Sequence, residues 1–106
     1  MRDLLPLMGA VLDPARVVED RNRITGGGVT AGIDFALTLA ARLTDEARAK
    51  RAQLVLEYEP QPPFAAGSPE AAGPALADDV RARRAPLIEA ARRLAMAAGR
   101  ATGDRG

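Results

Sequence analysis

Between positions 30 and 43 polar side chains recur every fourth residue, at Thr30, Asp34, Thr38 and Arg42, and almost everything between them is Ala, Ile, Leu or Phe. Four-residue spacing keeps one narrow polar stripe on a helix and leaves the rest of the circumference apolar. The pattern therefore predicts a helix over 30–43 that is buried on several sides. Thr44-Asp45-Glu46 follows, suited to cap a second helix and to set acids at its positive end. That helix is expected to run through the Ala-, Arg- and Lys-rich stretch to about Tyr58, although Leu54-Val55-Leu56-Glu57-Tyr58 also suits a strand. Upstream, residues 2–8 fit the end of a helix closing at Gly9. Arg16–Glu19 and Arg23–Thr25 read as two short strands, and Asp20-Arg21-Asn22 supplies turn residues for a hairpin. Gly26-Gly27-Gly28 ends the second strand. Three consecutive glycines lose much entropy on folding, so they mark a place that needs positive φ or close backbone approach. Pro60, Pro62 and Pro63 exclude regular structure, and Phe64 to Gly73 is expected to be a loop. From Pro74 the helical period returns through Leu76, Val80, Leu87, Ala91, Leu94 and Ala98, with Pro86 kinking or restarting the helix. Residues 100–106 are expected to form a disordered tail.

The two strand fragments are too small to cover a helix as apolar as 30–43. Burying Ile33, Phe35, Leu37, Leu39 and Leu43 contributes roughly 1.5–3 kcal/mol each. Left in water, the set forfeits on the order of 10 kcal/mol, comparable to the whole stability of a domain. Either the other helices enclose this helix, or a sheet is missing.

Composition narrows the chemistry. The 106 residues leave room for one domain, and 15 Lys+Arg against 14 Asp+Glu give a net charge of +1, so there is no basic face to attract nucleic acid. Cysteine and histidine are both absent, which excludes disulfides, zinc-ribbon sites and any Cys-His or Ser-His arrangement within the chain. A general acid or base could only be a carboxylate, Tyr58, Lys50 or a terminus. No metal and no cofactor is expected. The longest apolar-rich segment, residues 29–43, is too short and too interrupted to span a membrane. The N-terminal apolar run is broken by Pro6 without a cleavage site, so no signal peptide is read and a cytoplasmic location is expected.

Three local patterns carry candidate chemistry. Gly26-Gly27-Gly28-Val29-Thr30-Ala31 fits the G-x-G-x-x-A phosphate cradle at the start of a helix, and a strand over 53–58 would let Glu57 or Glu59 reach a ribose hydroxyl. Against it, Arg23-Ile24-Thr25 is not the buried apolar strand with which a dinucleotide fold begins. The adjacent acids Asp45-Glu46 and Asp78-Asp79 point to different parts of a helix surface and suit helix termini better than a catalytic dyad. Asp34, on a mostly apolar helix, is preferred as a structural residue, either solvated or tying down the glycine loop. The Arg81, Arg83, Arg84 and Arg92, Arg93 clusters alternate with acids and lack interleaved aromatics, the mark of a solvated helix face.

The ordered run from Arg16-Val17-Val18-Glu19 through Arg23-Ile24-Thr25-Gly26-Gly27-Gly28-Val29-Thr30-Ala31-Gly32-Ile33-Asp34-Phe35 resembles the ThiJ/PfpI (DJ-1/PfpI) superfamily. Leu56-Glu57-Tyr58-Glu59-Pro60-Gln61-Pro62-Pro63-Phe64, then Ala65-Ala66-Gly67-Ser68-Pro69, is similar to its isonitrile hydratase-like members. The resemblance covers residues 3 to 98 but only about the last half of the family domain. It implies an α/β fold, the C-terminal part of a flavodoxin-like (class I glutamine amidotransferase-like) sandwich, here mostly helical with a short β-hairpin. A partial domain over 1–99 is expected, from a family that is usually dimeric. The implied activity, on a small-molecule substrate, is hydration of an isonitrile to an N-substituted formamide, by a cysteine at a strained elbow and an acidic residue from an early strand. Both precede the part present here, so no catalytic residue carries over. The turn Gly26, Gly27, Gly28, Val29 and Thr30 matches a segment beside the active-site mouth. The resemblance also implies that 47–58 is helix, and that the sheet covering helix 30–43 lies in the missing half. Met1 is then expected to mark a late start codon, a truncated product or a frameshift remnant, with the chain inactive alone. The readings set against it are a nucleotide-binding module using the Gly26–Ala31 loop and an all-helical interaction protein.

Overall fold

The structure is a computed structural model that describes residues 2–103. It divides into two compact units, Asp13–Gln61 and a second made of the residues up to Leu12 with those from Pro62 onward.

In the first unit, strand β1 (Val17–Asp20) pairs antiparallel with β2 (Arg23–Gly26), from Val17↔Gly26 to Asp20↔Arg23. This is the expected hairpin, shifted by one residue at the ends. Arg21 takes the positive φ of the two-residue turn, 54°. Helix α1 (Ala31–Leu43) follows and matches the apolar pattern with its period-four stripe. At its end the amide and the hydroxyl of Thr44 both donate to the Ala40 carbonyl. Asp45 then caps α2 (Glu46–Val55), accepting from the Arg48 amide at 2.8 Å.

Helix α2 stops three residues before Tyr58, and the strand alternative for 54–58 is not realised. The stop is a Schellman closure. The Tyr58 amide donates to the Gln53 carbonyl at 3.1 Å and the Glu57 amide to the Leu54 carbonyl at 3.0 Å, with Glu57 at φ 50° where glycine usually stands.

The second unit opens with a 3-10 helix, Arg2–Met8, ended by Gly9 at φ 86° as its sequence suggests. Inside the segment expected as loop, Ser68 caps a one-turn helix, α3 (Pro69–Ala72), with Pro69 at its start. Gly73 at φ 84° separates it from α4 (Pro74–Arg83). The long helical pattern is then interrupted at Arg84, and α5 (Ala85–Gly103) begins with Pro86 in its first turn, so the proline restarts the helix instead of kinking it. Helix α5 also runs past residue 100, where a tail was expected; residues 104–106 of that tail lie outside the described residues. The 3-10 helix packs on α5: Leu4 and Ala95 are buried, Arg92 pairs with Asp3 at 3.3 Å, and any side chain at Gly99 would collide with the Leu7 carbonyl.

Among the described residues only Leu4, Ala31, Ala49 and Ala95 are buried, three of them alanines. Helix α1 is not enclosed. Phe35, Leu37 and Leu39 are half-buried, but Ile33 is 44% and Leu43 75% exposed. The end of α2 adds Leu54 at 78%, Val55 at 83% and Leu56 at 64%. Large apolar side chains on both helices of the first unit are thus left exposed.

Candidate functional site

The glycine turn is defined by one close approach. The Gly27 amide donates to the Arg16 carbonyl at 2.7 Å, and a Cβ at position 27 would lie 3.2 Å from the Ala15 oxygen and 3.4 Å from that of Arg16. None of Gly26, Gly27 and Gly28 adopts positive φ. Of the two reasons for glycine offered by the sequence, backbone proximity is therefore the operative one, and it applies at Gly27. Gly28, Val29 and Thr30 are exposed, Val29 at 98%. The Val29 carbonyl accepts from the Gly32 amide at 3.2 Å, and Thr30 begins α1 without a side-chain cap bond.

Asp34, in the first turn of α1, is bound on both carboxylate oxygens. Tyr58 donates its hydroxyl to Oδ1 at 2.5 Å, and Arg16 donates Nε to Oδ2 at 2.5 Å. The Tyr58 hydroxyl bond, then the Arg16 bond, holds the Asp34 carboxyl below its ordinary value. The same bond to Asp34 raises the Tyr58 phenol, and Asp34 raises Arg16. An ionised carboxylate engaged by two donors is a poor general base, and a phenol held protonated is a poor nucleophile. The cluster is a clamp. Of the two structural roles open to Asp34, simple solvation is the one not realised, since its carboxylate joins Arg16 to Tyr58.

A second clamp lies two turns along α1, where Arg42 Nε donates to both Glu19 oxygens at 3.0 and 3.2 Å. The polar stripe of α1 thus faces the hairpin, and Thr38 turns its hydroxyl back to the Asp34 carbonyl at 2.8 Å. Tyr58 was not foreseen as a partner of Asp34. The two lie 24 positions apart, a separation that no helix or strand period links, and the left-handed Glu57 turns the chain just before the ring.

The adjacent acids do not form dyads. Asp45 caps α2 while Glu46 pairs with Lys50 at 2.6 Å; Asp78 turns to Arg81 at 3.2 Å and Asp79 to Arg83 at 2.9 Å. The Lys50 ammonium holds Glu46 below its ordinary value, and Lys50 is raised in return. The nucleotide reading loses its support, since 53–58 is no strand and the segment before the glycines belongs to an antiparallel hairpin. The hairpin also makes the first unit mixed rather than all-helical. Among the described residues no group of His, Cys, Asp or Glu could hold a metal ion, and no helix is long and apolar enough to cross a membrane.

No family model matches the chain. It is 54% identical over 87 residues to the isonitrile hydratase of Pseudomonas putida, a match that takes in 82% of this chain and 38% of that protein. In the crystal structure of a ThiJ/PfpI family protein from Pseudomonas syringae, a region 48% identical superposes with a TM-score of 0.81, covering 89% of this chain and 39% of the other. The chain therefore spans about two fifths of the length of each; over that span it shares sequence with both and fold with the Pseudomonas syringae protein.

Proposed function

Because the chain belongs to the ThiJ/PfpI (DJ-1/PfpI) superfamily, on its isonitrile hydratase-like side, we propose that it is the C-terminal portion of a domain that hydrates isonitriles. The reaction joins R–N≡C and water into R–NH–CHO, so every atom of both reactants is kept and no redox partner is needed. In this reading the chain supplies the Gly26–Thr30 turn at the active-site mouth and helices that flank the sheet. The nucleophile resides on polypeptide outside this sequence. Cytoplasmic residence and dimerisation of the complete domain are part of the same proposal.

The observation that carries it is the 54% identity over 87 residues in a chain of 106 that contains no cysteine. A thiolate is the nucleophile that the family's chemistry requires, and nothing else here replaces it. The uncovered apolar face of α1 supports the same reading.

The test is formamide formation from an alkyl isonitrile, followed by NMR. The chain alone is expected to form none. Mixed with the remaining N-terminal residues of the Pseudomonas putida relative, supplied as a separate polypeptide, it is expected to form the formamide. Turnover by the lone chain would overturn the proposal, as would a complement that binds and stays inactive.

A further inference from the structure

We propose that Asp34 is a positioning residue for the Gly26–Thr30 turn, acting through Arg16 and held in place by Tyr58. That the turn borders an active site rests on the preceding reading; that Asp34 sets its geometry rests on the contacts alone.

The turn leaves β2 at Gly26 and enters α1 at Ala31. At its first end it is held by the Gly27 amide on the Arg16 carbonyl, one residue outside the paired ladder. The side chain of that same Arg16 reaches Asp34, in the first turn of the helix at the other end. Backbone bond, turn, helix and ion pair therefore close a ring, and the carboxylate is the link that joins its two ends. A carboxylate held on one oxygen alone can swing about its terminal torsion. Here the second oxygen accepts from Tyr58, so rotation would break both bonds. Tyr58 is itself anchored, by the Schellman closure and by Gln53 Nε2 donating to its carbonyl at 3.1 Å.

Other charges around Asp34 are engaged elsewhere or stand apart. On the hairpin Glu19 pairs with Arg42 and Asp20 with Arg21, while Arg23 is exposed; Glu57 and Glu59 flank Tyr58 and are exposed. Arg16 and Tyr58 are thus the two groups that govern the ionisation of Asp34.

The experiment uses the nitrogen-15-labelled 106-residue chain. In an acid titration the Gly27 amide signal is expected to move with Asp34, at a midpoint below the ordinary carboxylate value. Asp34→Asn is expected to abolish that step and to speed hydrogen exchange at Gly27 by about tenfold or more, with exchange at Ala49 in α2 unchanged. Tyr58→Phe keeps the step and moves its midpoint upward. A Gly27 signal that ignores Asp34, or unchanged Gly27 exchange in Asp34→Asn, overturns the proposal. Should Asp34→Asn also lose protection at Ala49, Tyr58→Phe decides: an unmoved midpoint overturns it and a raised one supports it. Failure to form formamide after complementation would leave all of these readouts as they are, so the two proposals fail separately.

Discussion

Glu57 and Arg21 hold left-handed backbone, at φ 50° and 54°, without being glycine. Each meets the Cβ–carbonyl crowding that glycine escapes, at a cost of roughly 1–2 kcal/mol. At Glu57 the strain ends α2 and turns Tyr58 back toward Asp34. Glu57→Gly is therefore expected to keep the closure and stabilise the first unit by about 1 kcal/mol, seen as helical circular dichroism that persists to higher urea. Glycines allow the converse test. Gly32 lies within α1 with nothing within 4 Å of an added Cβ, whereas Gly27 has the Ala15 oxygen at 3.2 Å. Gly32→Ala should stabilise by about 0.5–1 kcal/mol through helix propensity. Gly27→Ala should destabilise, because a backbone carbonyl has to move. Equal effects at the two positions in the same urea titration would contradict this assignment of the close approach to Gly27.

At the scale of elements, the stripe Thr30, Asp34, Thr38 and Arg42 is the link between α1 and the hairpin, and its strength depends on pH. The Asp34 carboxyl is depressed in the folded state, so its contribution is present above the unfolded value and lost as pH falls through the lower folded one. Tyr58 is raised, so its contribution is present below the ordinary phenol value and lost as pH rises through the higher folded one. The first unit should therefore hold a plateau of stability between the two limits. Tyr58→Phe should remove the alkaline loss and shift the acid loss toward higher pH, read from urea midpoints across the range. Elements whose signal is local were legible in the sequence: the hairpin, the period of α1, the Asp45 cap and the Gly9 stop. The end of α2 was not, because its closure uses Glu57 where the recognisable residue is glycine. Neither was α3, a single turn made by Ser68 and Pro69 inside a proline-rich stretch. In the candidate site, the glycine run was legible as a place of positive φ or close approach, without saying which or at which glycine, and the Asp34–Tyr58 bond joins positions 24 apart that no local pattern links.

At the scale of the whole molecule, the described residues bury three alanines and one leucine, while Val29, Leu43, Leu54, Val55 and Leu56 are each at least 64% exposed. Fully burying a valine or leucine side chain contributes roughly 1.5–3 kcal/mol, so these five forgo an amount on the order of a domain's net stability. Ion pairs cannot compensate, since the exposed ones contribute about 0–1 kcal/mol each. The lone chain is therefore expected to bind the apolar dye ANS strongly and to melt over a broad range with little cooperativity, even though its helices form. On the proposed reading, the complementary N-terminal portion covers α1. Adding it should suppress the dye signal and sharpen the melt together, at a concentration set by their affinity. Calorimetry and sedimentation on the same samples separate the cases. A sharp calorimetric transition from a monomeric lone chain with little dye bound would mean that this apolar face is not a face in want of a partner.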